Sequence, residues 1–330
     1  MTGFIHLTNK TEYSLSEGAL PISRIAELCQ TFEMPAVGIS DSNNMFGALE
    51  FSTQISNAGV QPIIGCNIKI KTPSEFLHES IKDHFFYMNL YSKNNIGYQN
   101  LLKLISNSYM RNEKNSYIEI NDLINLKEGI IVLTGGTNSI FKQCKNKTIT
   151  NQADSFIKLL KENFNHDLYI EIQRLGKNHD SLDEYCLLSM AYENRLPLVA
   201  TNDVYFESPE YYEAHDALAC IDKKLFVSQE DRIKLSDQHY FKSQDEMRTL
   251  FNDLPEAIGN TIEIAEKCSF KPDIQKPILP IFPINDQTEK DLITKLSEEG
   301  LNLRLKEKFL LENDDTSNIH HIRKIYKDRL

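Results

Sequence analysis

The chain has 330 residues, of which 41% are hydrophobic and 25% charged, a balance that excludes both a disordered chain and a coiled coil. Its 36 basic and 47 acidic side chains give a formal net charge of −11. Because proteins that bind nucleic-acid backbones are usually basic, the chain alone is a poor candidate for a principal nucleic-acid surface, and we expect DNA contact to be weak or indirect. No signal pattern and no apolar run of about 18 residues is present, so we expect a cytoplasmic protein without membrane contact.

Short β-rich runs alternate with segments of helical periodicity over the first two-thirds of the chain. The predicted strands are Phe4–Leu7, Ala36–Ile39, Ile63–Ile70, Phe85–Tyr91, Ile130–Leu133, Leu168–Ile172 and Leu198–Ala200. The predicted helices are Pro21–Phe32, Phe46–Ser56, Tyr98–Ser106, Ala153–Leu160, Ser181–Glu193 and Glu210–Cys220. Repeated strand–helix units predict parallel strands covered by helices, which is an α/β fold. Seven strands favour a barrel; a doubly wound sheet is the alternative, although no GxGxxG turn follows the first strand.

The composition changes after Phe270. The segment Lys271–Pro283 contains four prolines, counting Pro283, and proline interrupts both helices and central strands. This predicts a first domain over residues 1–270 and an extended linker over residues 271–286. Residues 287–330 contain two stretches of helical periodicity, Glu289–Leu311 and Ile319–Leu330. The whole segment of about 45 residues is too short to bury a core alone. We therefore expect a short helical extension that begins a further domain.

Metal ligands are scarce where a barrel would carry its active site, at the carboxyl ends of the strands. The good ligands there are Asp41 and Asp203, and the nine histidines form no HxH, HExxH or HxxxH pattern. Two carboxylates can hold one Mg²⁺ weakly, whereas Asp also commonly caps the helix that follows it. We favour the capping role for both residues.

Several stretches, taken together, resemble a known family. They are FIHLTNKTEYSLSEGA, MPAVGISDSNNMFGALEF, VQPIIGCNIKI, EGIIVLTGG, YIEIQRLG and LPLVATNDVYF. Their order and sequence resemble the PHP (polymerase and histidinol phosphatase) domain at the start of bacterial replicative DNA polymerase III alpha subunits, and the resemblance runs from about residue 4 to the end. It implies a distorted seven-stranded (β/α) PHP barrel, followed by the start of a palm region.

Active PHP domains bind a metal cluster, and the resemblance implies where its ligands would fall. The HxH pair corresponds to Thr8 and Lys10, an acidic ligand to Glu17, a His to Ser42, a Glu to Asn67, a second His to Tyr87, a Cys to Gly136, and the closing DxH to Asp203 and Tyr205. Only the two acidic positions keep a ligand. We expect this degenerate set to hold no metal, with Asp41 and Asp203 as weak candidates, and we expect no catalytic residue and no cofactor in this chain.

The resemblance also implies a role in DNA replication. A full-length relative would be a DNA-directed DNA polymerase, a nucleotidyltransferase that uses Mg²⁺, but the Gly-rich and Asp-x-Asp polymerase motifs are absent here. We expect an N-terminal fragment, or the product of a truncated gene. Its PHP domain is expected to be a structural scaffold that docks the proofreading exonuclease (epsilon) subunit. Contact with the rest of the holoenzyme would be made through the full-length chain. The alternative is a residual metal-dependent phosphoesterase or 3′→5′ exonuclease that uses Glu17, Asp41 and Asp203.

Overall fold

The computed structural model describes residues 3–74, 85–111, 116–136, 139, 141, 147–176, 181–229, 231–232, 234–277, 279–280, 282–284, 288–312 and 316–329. The chain divides into two compact units, Met1–Ile274 and Gln275–Leu330. The strands of the first unit are β1 (Ala36–Ser42), β2 (Gln61–Lys71), β3 (Phe85–Ser92), β4 (Ile130–Leu133), β5 (Leu168–Gln173) and β6 (Leu198–Thr201). Its helices are α1 (Ile22–Thr31), α2 (Ala48–Asn57), α3 (Asn95–Arg111), α4 (Ile120–Asn125), α5 (Lys147–Phe164), α6 (Ser181–Asn194), α7 (Tyr212–Lys223), α8 (Gln244–Leu250) and α9 (Pro255–Lys267).

The six strands form one curled sheet in the order β1-β2-β3-β4-β5-β6. The pairs β1–β2, β4–β5 and β5–β6 are parallel, whereas β3 runs antiparallel to both of its neighbours. The prediction of a wholly parallel sheet is therefore wrong at β3. β2 ends at Lys71 and β3 begins at Phe85, so residues 72–84 form the whole connection, which is near the minimum of about a dozen residues that a parallel crossover requires.

The predicted first strand, Phe4–Leu7, is extended but forms no ladder, so the described part of the chain has six strands rather than seven. The backbone amides of Gly38 and Ser40 in β1 donate to the carbonyls of His6 (2.7 Å) and Asn9 (3.0 Å). The acceptors are thus three positions apart in the chain whereas the donors are two positions apart, which is the spacing of a β-bulge. The extra residue interrupts regular pairing with β1.

The other side of this N-terminal segment contacts the chain just beyond β6. The amide of Lys10 donates to the carbonyl of Val204 (2.8 Å), and the amide of Val204 donates to the carbonyl of Thr8 (3.0 Å). The segment therefore hydrogen-bonds next to both edge strands of the curled sheet. The residues that follow it are brought to the same edge as the carboxyl ends of β1 and β6.

Side chains of the sheet alternate between an outer and an inner face, because successive residues of a strand point to opposite sides. The outer face packs under the helices in the larger apolar cluster, which includes Val37, Ile64, Met88, Val132 and Ile170. The inner face is apolar only at one end, where a smaller cluster contains Ile5, Leu7, Ala36, Ile63, Tyr91, Ile131, Leu133, Tyr169 and Val199, closed by Ile264, Ala265 and Cys268 of α9 and its end. The opposite end of the inner face carries the polar residues described below.

All six predicted helices are present, most of them longer than predicted, but the sequence did not reveal α4, α8 and α9. The start of α8 had a local signal, since Ser243 and Glu246 form a capping box. The second unit contains α10 (Glu289–Glu312) and α11 (Thr316–Lys327). Within the described ranges, no helix is both long and apolar enough to cross a membrane.

Candidate functional site

A fully buried carboxylate, Glu171, lies on the inner face of β5. Its oxygens accept hydrogen bonds from the side chains of Asn89 (3.0 Å), Gln173 (3.0 Å) and Thr201 (2.6 Å) and from the backbone amide of Gly135 (2.9 Å). Burial raises the pKa of Glu171, and these donors oppose the rise. In the part of the chain that the structure describes, no basic side chain forms an ion pair with it.

Asn89 of β3 extends this network across the sheet. Its Oδ1 accepts from the hydroxyl of Ser40 in β1 (2.8 Å) and from the amide of Asn67 in β2 (2.8 Å), while its Nδ2 donates to Glu171. Side chains from five strands are thus joined without a metal. Asn67 was a predicted site residue, but Glu171 and Asn89 were not; the available signal was a polar residue at an inward position of an otherwise apolar strand.

A cavity of about 290 Å³ opens above this polar layer, and we call it the mouth cavity. It is lined by Ser16, Glu17, Ser42, Asn67, Tyr87, Tyr205, Tyr212, His215, Asp216, Ala219, Asp222, Lys223, Lys234 and Leu235. Five of the predicted site positions are in this lining: Glu17, Ser42, Asn67, Tyr87 and Tyr205. The structure therefore brings these five positions together at one end of the sheet, although they come from five separate segments of the chain.

Glu17 is held at the mouth cavity by two contacts. The hydroxyl of Ser42 donates to Glu17 Oε2 (2.5 Å), and His215 Nε2 lies 2.7 Å from the backbone carbonyl oxygen of Glu17. A carbonyl oxygen only accepts, so Nε2 of His215 carries the proton. Burial lowers the pKa of His215, which keeps the ring neutral near pH 7.

Tyr87 and Tyr205 lie near Glu17, and Tyr205 also contacts the other surviving acidic position, Asp203. Burial raises the pKa of Tyr87 and, more strongly, of Tyr205, and the nearby Glu17 carboxylate raises both further. The hydroxyl of Tyr205 donates weakly to Asp203 Oδ2 (3.3 Å). The side chains of Tyr87 and Tyr205 therefore remain neutral phenols at two positions where the resemblance implies histidine ligands.

The residues at the HxH positions do not line the mouth cavity. The hydroxyl of Thr8 is buried and has no hydrogen-bond partner within the described chain. Lys10 is buried as well, and its ammonium donates to the backbone carbonyl of Ser40 (2.7 Å). At two positions where the resemblance implies imidazole ligands, the chain thus offers a hydroxyl and an ammonium, and an ammonium repels a metal ion.

Gly136 stands where the resemblance implies a cysteine ligand, and the amide of Gln173 fills the space that a side chain at this position would enter. Its φ is +50°, and a Cβ built on it would lie 2.2–2.6 Å from the amide group of Gln173. That amide donates to Glu171 and Thr201. The polar network therefore occupies the space that a sulfur ligand would need.

Asp41 is buried, and other contacts use its carboxylate. It accepts from the backbone amide (2.7 Å) and hydroxyl (2.8 Å) of Thr11 and from the hydroxyl of Ser14 (2.6 Å). Asp41 thus stabilises the turn after the N-terminal segment, so the predicted cap on the following helix is wrong. Burial raises its pKa, and these three bonds oppose the rise. Asp41 does not line the mouth cavity, and its carboxylate is occupied by Thr11 and Ser14, whereas Glu17 accepts from Ser42.

The donor set does not fit a metal cluster. In the described ranges, no group of three or more His, Cys, Asp or Glu side chains is placed to hold an ion. Thr8, Ser42, Asn67 and Tyr87 offer only neutral oxygens or amides, and Lys10 offers a positive charge. We therefore predict that the chain binds no metal.

Comparison with known proteins adds a family match and a set of relatives. The family model of the PHP domain matches residues 6–175. The chain is 38% identical over 310 residues to the DNA polymerase III subunit alpha of Caulobacter vibrioides, covering 92% of this chain and 27% of the relative. It is 37% identical over 329 residues to the DNA polymerase III subunit alpha of Rickettsia felis, covering 99% of this chain and 27% of the relative. The chain thus spans about a quarter of the length of these relatives.

A comparison of structures finds a more distant similarity. An amidohydrolase from Chromobacterium violaceum superposes with a TM-score of 0.41 and 10% sequence identity, over 61% of this chain and 87% of that protein.

Proposed function

The chain belongs to the PHP domain family, and we propose that it is the PHP part of a DNA polymerase III alpha subunit and serves DNA replication. The observation that carries this proposal is 37% identity to such a subunit along 99% of the chain. The polymerase motifs are absent from this sequence, so we expect the chain by itself to incorporate no nucleotide. Mg²⁺-dependent nucleotidyl transfer would belong to a full-length subunit.

Within that role, the domain is a scaffold that has lost its metal site. Loss of one residue that supports a metal ligand lowers metal affinity roughly 10–100-fold, and here most of the ligands themselves are replaced. The network around Glu171 and Asn89 supports a structural role, because it joins five strands by side-chain hydrogen bonds alone. No cofactor is needed to hold the sheet together.

The partner that we propose is the proofreading exonuclease (epsilon) subunit, with the remainder of the polymerase as the wider assembly. The resemblance suggests this partner, and the net charge of −11 suits contact with a protein better than contact with DNA. Exposed apolar side chains offer apolar contact area; among them are Leu15 and Phe46, which precede α1 and α2, Ile221 on α7 and Phe226 just after it.

The test is direct binding of the purified 330-residue chain to the exonuclease subunit of the same organism, measured by calorimetry. We expect a complex with a dissociation constant of about 1 µM or lower. A duplex DNA titrated at two salt concentrations is the control, and we expect no affinity that falls steeply with salt. No heat of binding to the exonuclease at concentrations of roughly ten times that constant would refute docking.

The phosphoesterase alternative finds no support in the site. It requires Glu17, Asp41 and Asp203 to act on one metal, but the carboxylate of Asp41 accepts three hydrogen bonds from the Thr11–Ser14 turn. Phosphate release that disappears in an Asp203→Asn variant would revive the alternative.

A further inference from the structure

The mouth cavity carries charges that the described chain leaves unpaired. Glu17 lines it and forms no ion pair with any described residue; its side chain accepts only from Ser42. Lys223 and Lys234 also line it, and neither forms an ion pair within the described ranges. Asp216 is different, because both of its oxygens are held by Arg232. The cavity lining therefore carries two carboxylates, Glu17 and Asp222, and two ammonium groups that form no ion pair among the described residues.

Glu17 and Lys223 lie near different ends of α7. His215, on this helix, contacts the backbone of Glu17, and Lys223 lies eight residues further along. At 1.5 Å per residue these positions are roughly 12 Å apart along the helix axis. The second lysine of the lining, Lys234, is outside α7 and acts electrostatically on Asp216; together with Asp222, the two lysines give the lining a net charge of about +1 from these three residues.

Three aromatic residues contribute to the same lining. Tyr87, Tyr205 and Tyr212 line the cavity, and aromatic faces attract an organic ammonium group but not an anion. A volume of about 290 Å³ is at the low end for small-molecule sites, so it suits a metabolite rather than a polymer. A diamine fits poorly, since its second ammonium group would meet Lys223 and Lys234.

We propose that the mouth cavity binds a small zwitterion, whose ammonium group pairs with Glu17 and whose carboxylate or phosphate group pairs with Lys223 and Lys234. The ligand needs no metal. The PHP barrel has here exchanged a metal-binding site for a charge-paired organic-ligand site at the same end of the sheet.

The probes are three molecules of similar length: 6-aminohexanoate with both charges, hexylamine with the ammonium alone, and hexanoate with the carboxylate alone. Calorimetry on the full chain at low salt compares their affinities. We expect 6-aminohexanoate to bind with a dissociation constant of about 1 mM or lower, and each single-charge probe to bind about tenfold more weakly. Equal affinity for all three probes, or no binding of 6-aminohexanoate, would overturn the proposal.

Two variants assign the ends of the ligand. Glu17→Gln should weaken 6-aminohexanoate about tenfold and leave hexanoate unchanged, whereas Lys223→Met combined with Lys234→Met should remove the preference over hexylamine. Glu213→Gln is the matched control, because Glu213 is exposed on α7 and does not line the cavity. Circular dichroism checks that each variant is folded. An unchanged affinity in both folded variants would refute the assignment of the charges.

Discussion

Gly136 gives the sharpest test of how the metal site was replaced. In the Gly136→Ala variant the new Cβ would lie 2.2 Å from Cδ of Gln173, so the Gln173 amide has to move. Moving it breaks a hydrogen bond to the buried Glu171 carboxylate (3.0 Å) and one to Thr201 (3.1 Å). A bond to a charged group contributes about 1.5–3 kcal/mol and a neutral one about 1 kcal/mol. The left-handed φ of +50° adds roughly 1–2 kcal/mol for a residue with a side chain.

These contributions overlap, so we expect Gly136→Ala to lower the free energy of unfolding by about 3–5 kcal/mol. Urea denaturation followed by circular dichroism measures it. Gly59→Ala is the matched control, because Gly59 also has a positive φ (+78°) but nothing lies within 4 Å of its Cβ position. There we expect only the backbone cost of about 1–2 kcal/mol.

The double variant Gly136→Ala with Gln173→Ala separates the two causes. Removing the amide removes the clash, so the added Cβ should cost no more in that background than it costs at Gly59. If Gly136→Ala alone is no more destabilising than Gly59→Ala, then Gln173 does not fill the cysteine position and the explanation for the lost ligand is wrong.

Three further predictions follow from the same site. Asp41→Ala should lower the free energy of unfolding by about 2–3 kcal/mol, because it leaves three buried donors without an acceptor. Asp203→Ala loses one hydrogen bond of 3.3 Å and should lower the free energy of unfolding by less than about 1 kcal/mol. Urea denaturation of the two variants measures the difference. Burial raises the pKa of Glu171 above its ordinary value of 4.5, so the folded state binds a proton that the unfolded state releases, and the free energy of unfolding should fall as pH rises from 4.5 through the folded pKa. In the Glu171→Gln variant, a plot of the free energy of unfolding against pH should be flatter over this range. An unchanged slope in that variant would contradict the assignment. Elemental analysis after dialysis against Zn²⁺ and Mn²⁺ should find fewer than about 0.1 equivalents of metal, and two or three equivalents would show that the ligand positions were carried over wrongly.

Local sequence patterns were sufficient for six of the seven predicted strands and for six helices. Runs such as Ile130–Leu133 and the helical stripe of Pro21–Phe32 depend on neighbouring residues, which is why periodicity alone located them. The N-terminal segment Phe4–Leu7 failed as a ladder strand because its pairing is interrupted by one extra residue opposite Gly38–Ser40. The antiparallel direction of β3 likewise depends on how the chain returns after β2, which periodicity does not encode.

The sequence by itself identified the family, and its resemblance to that family predicts the positions at which metal ligands are replaced, because a ligand is a residue type at a given place in the chain. How the side chains around those positions contact one another was decided only by the tertiary structure. Glu171 and Asn89 look like isolated polar residues in apolar strands until the register of the curled sheet brings them into contact. The unpaired charges of Glu17 and Lys223 share one cavity only because α7 lies beside the strand ends. Such contacts join residues far apart in the chain, and their meeting depends on strand order and closure of the sheet rather than on local propensity.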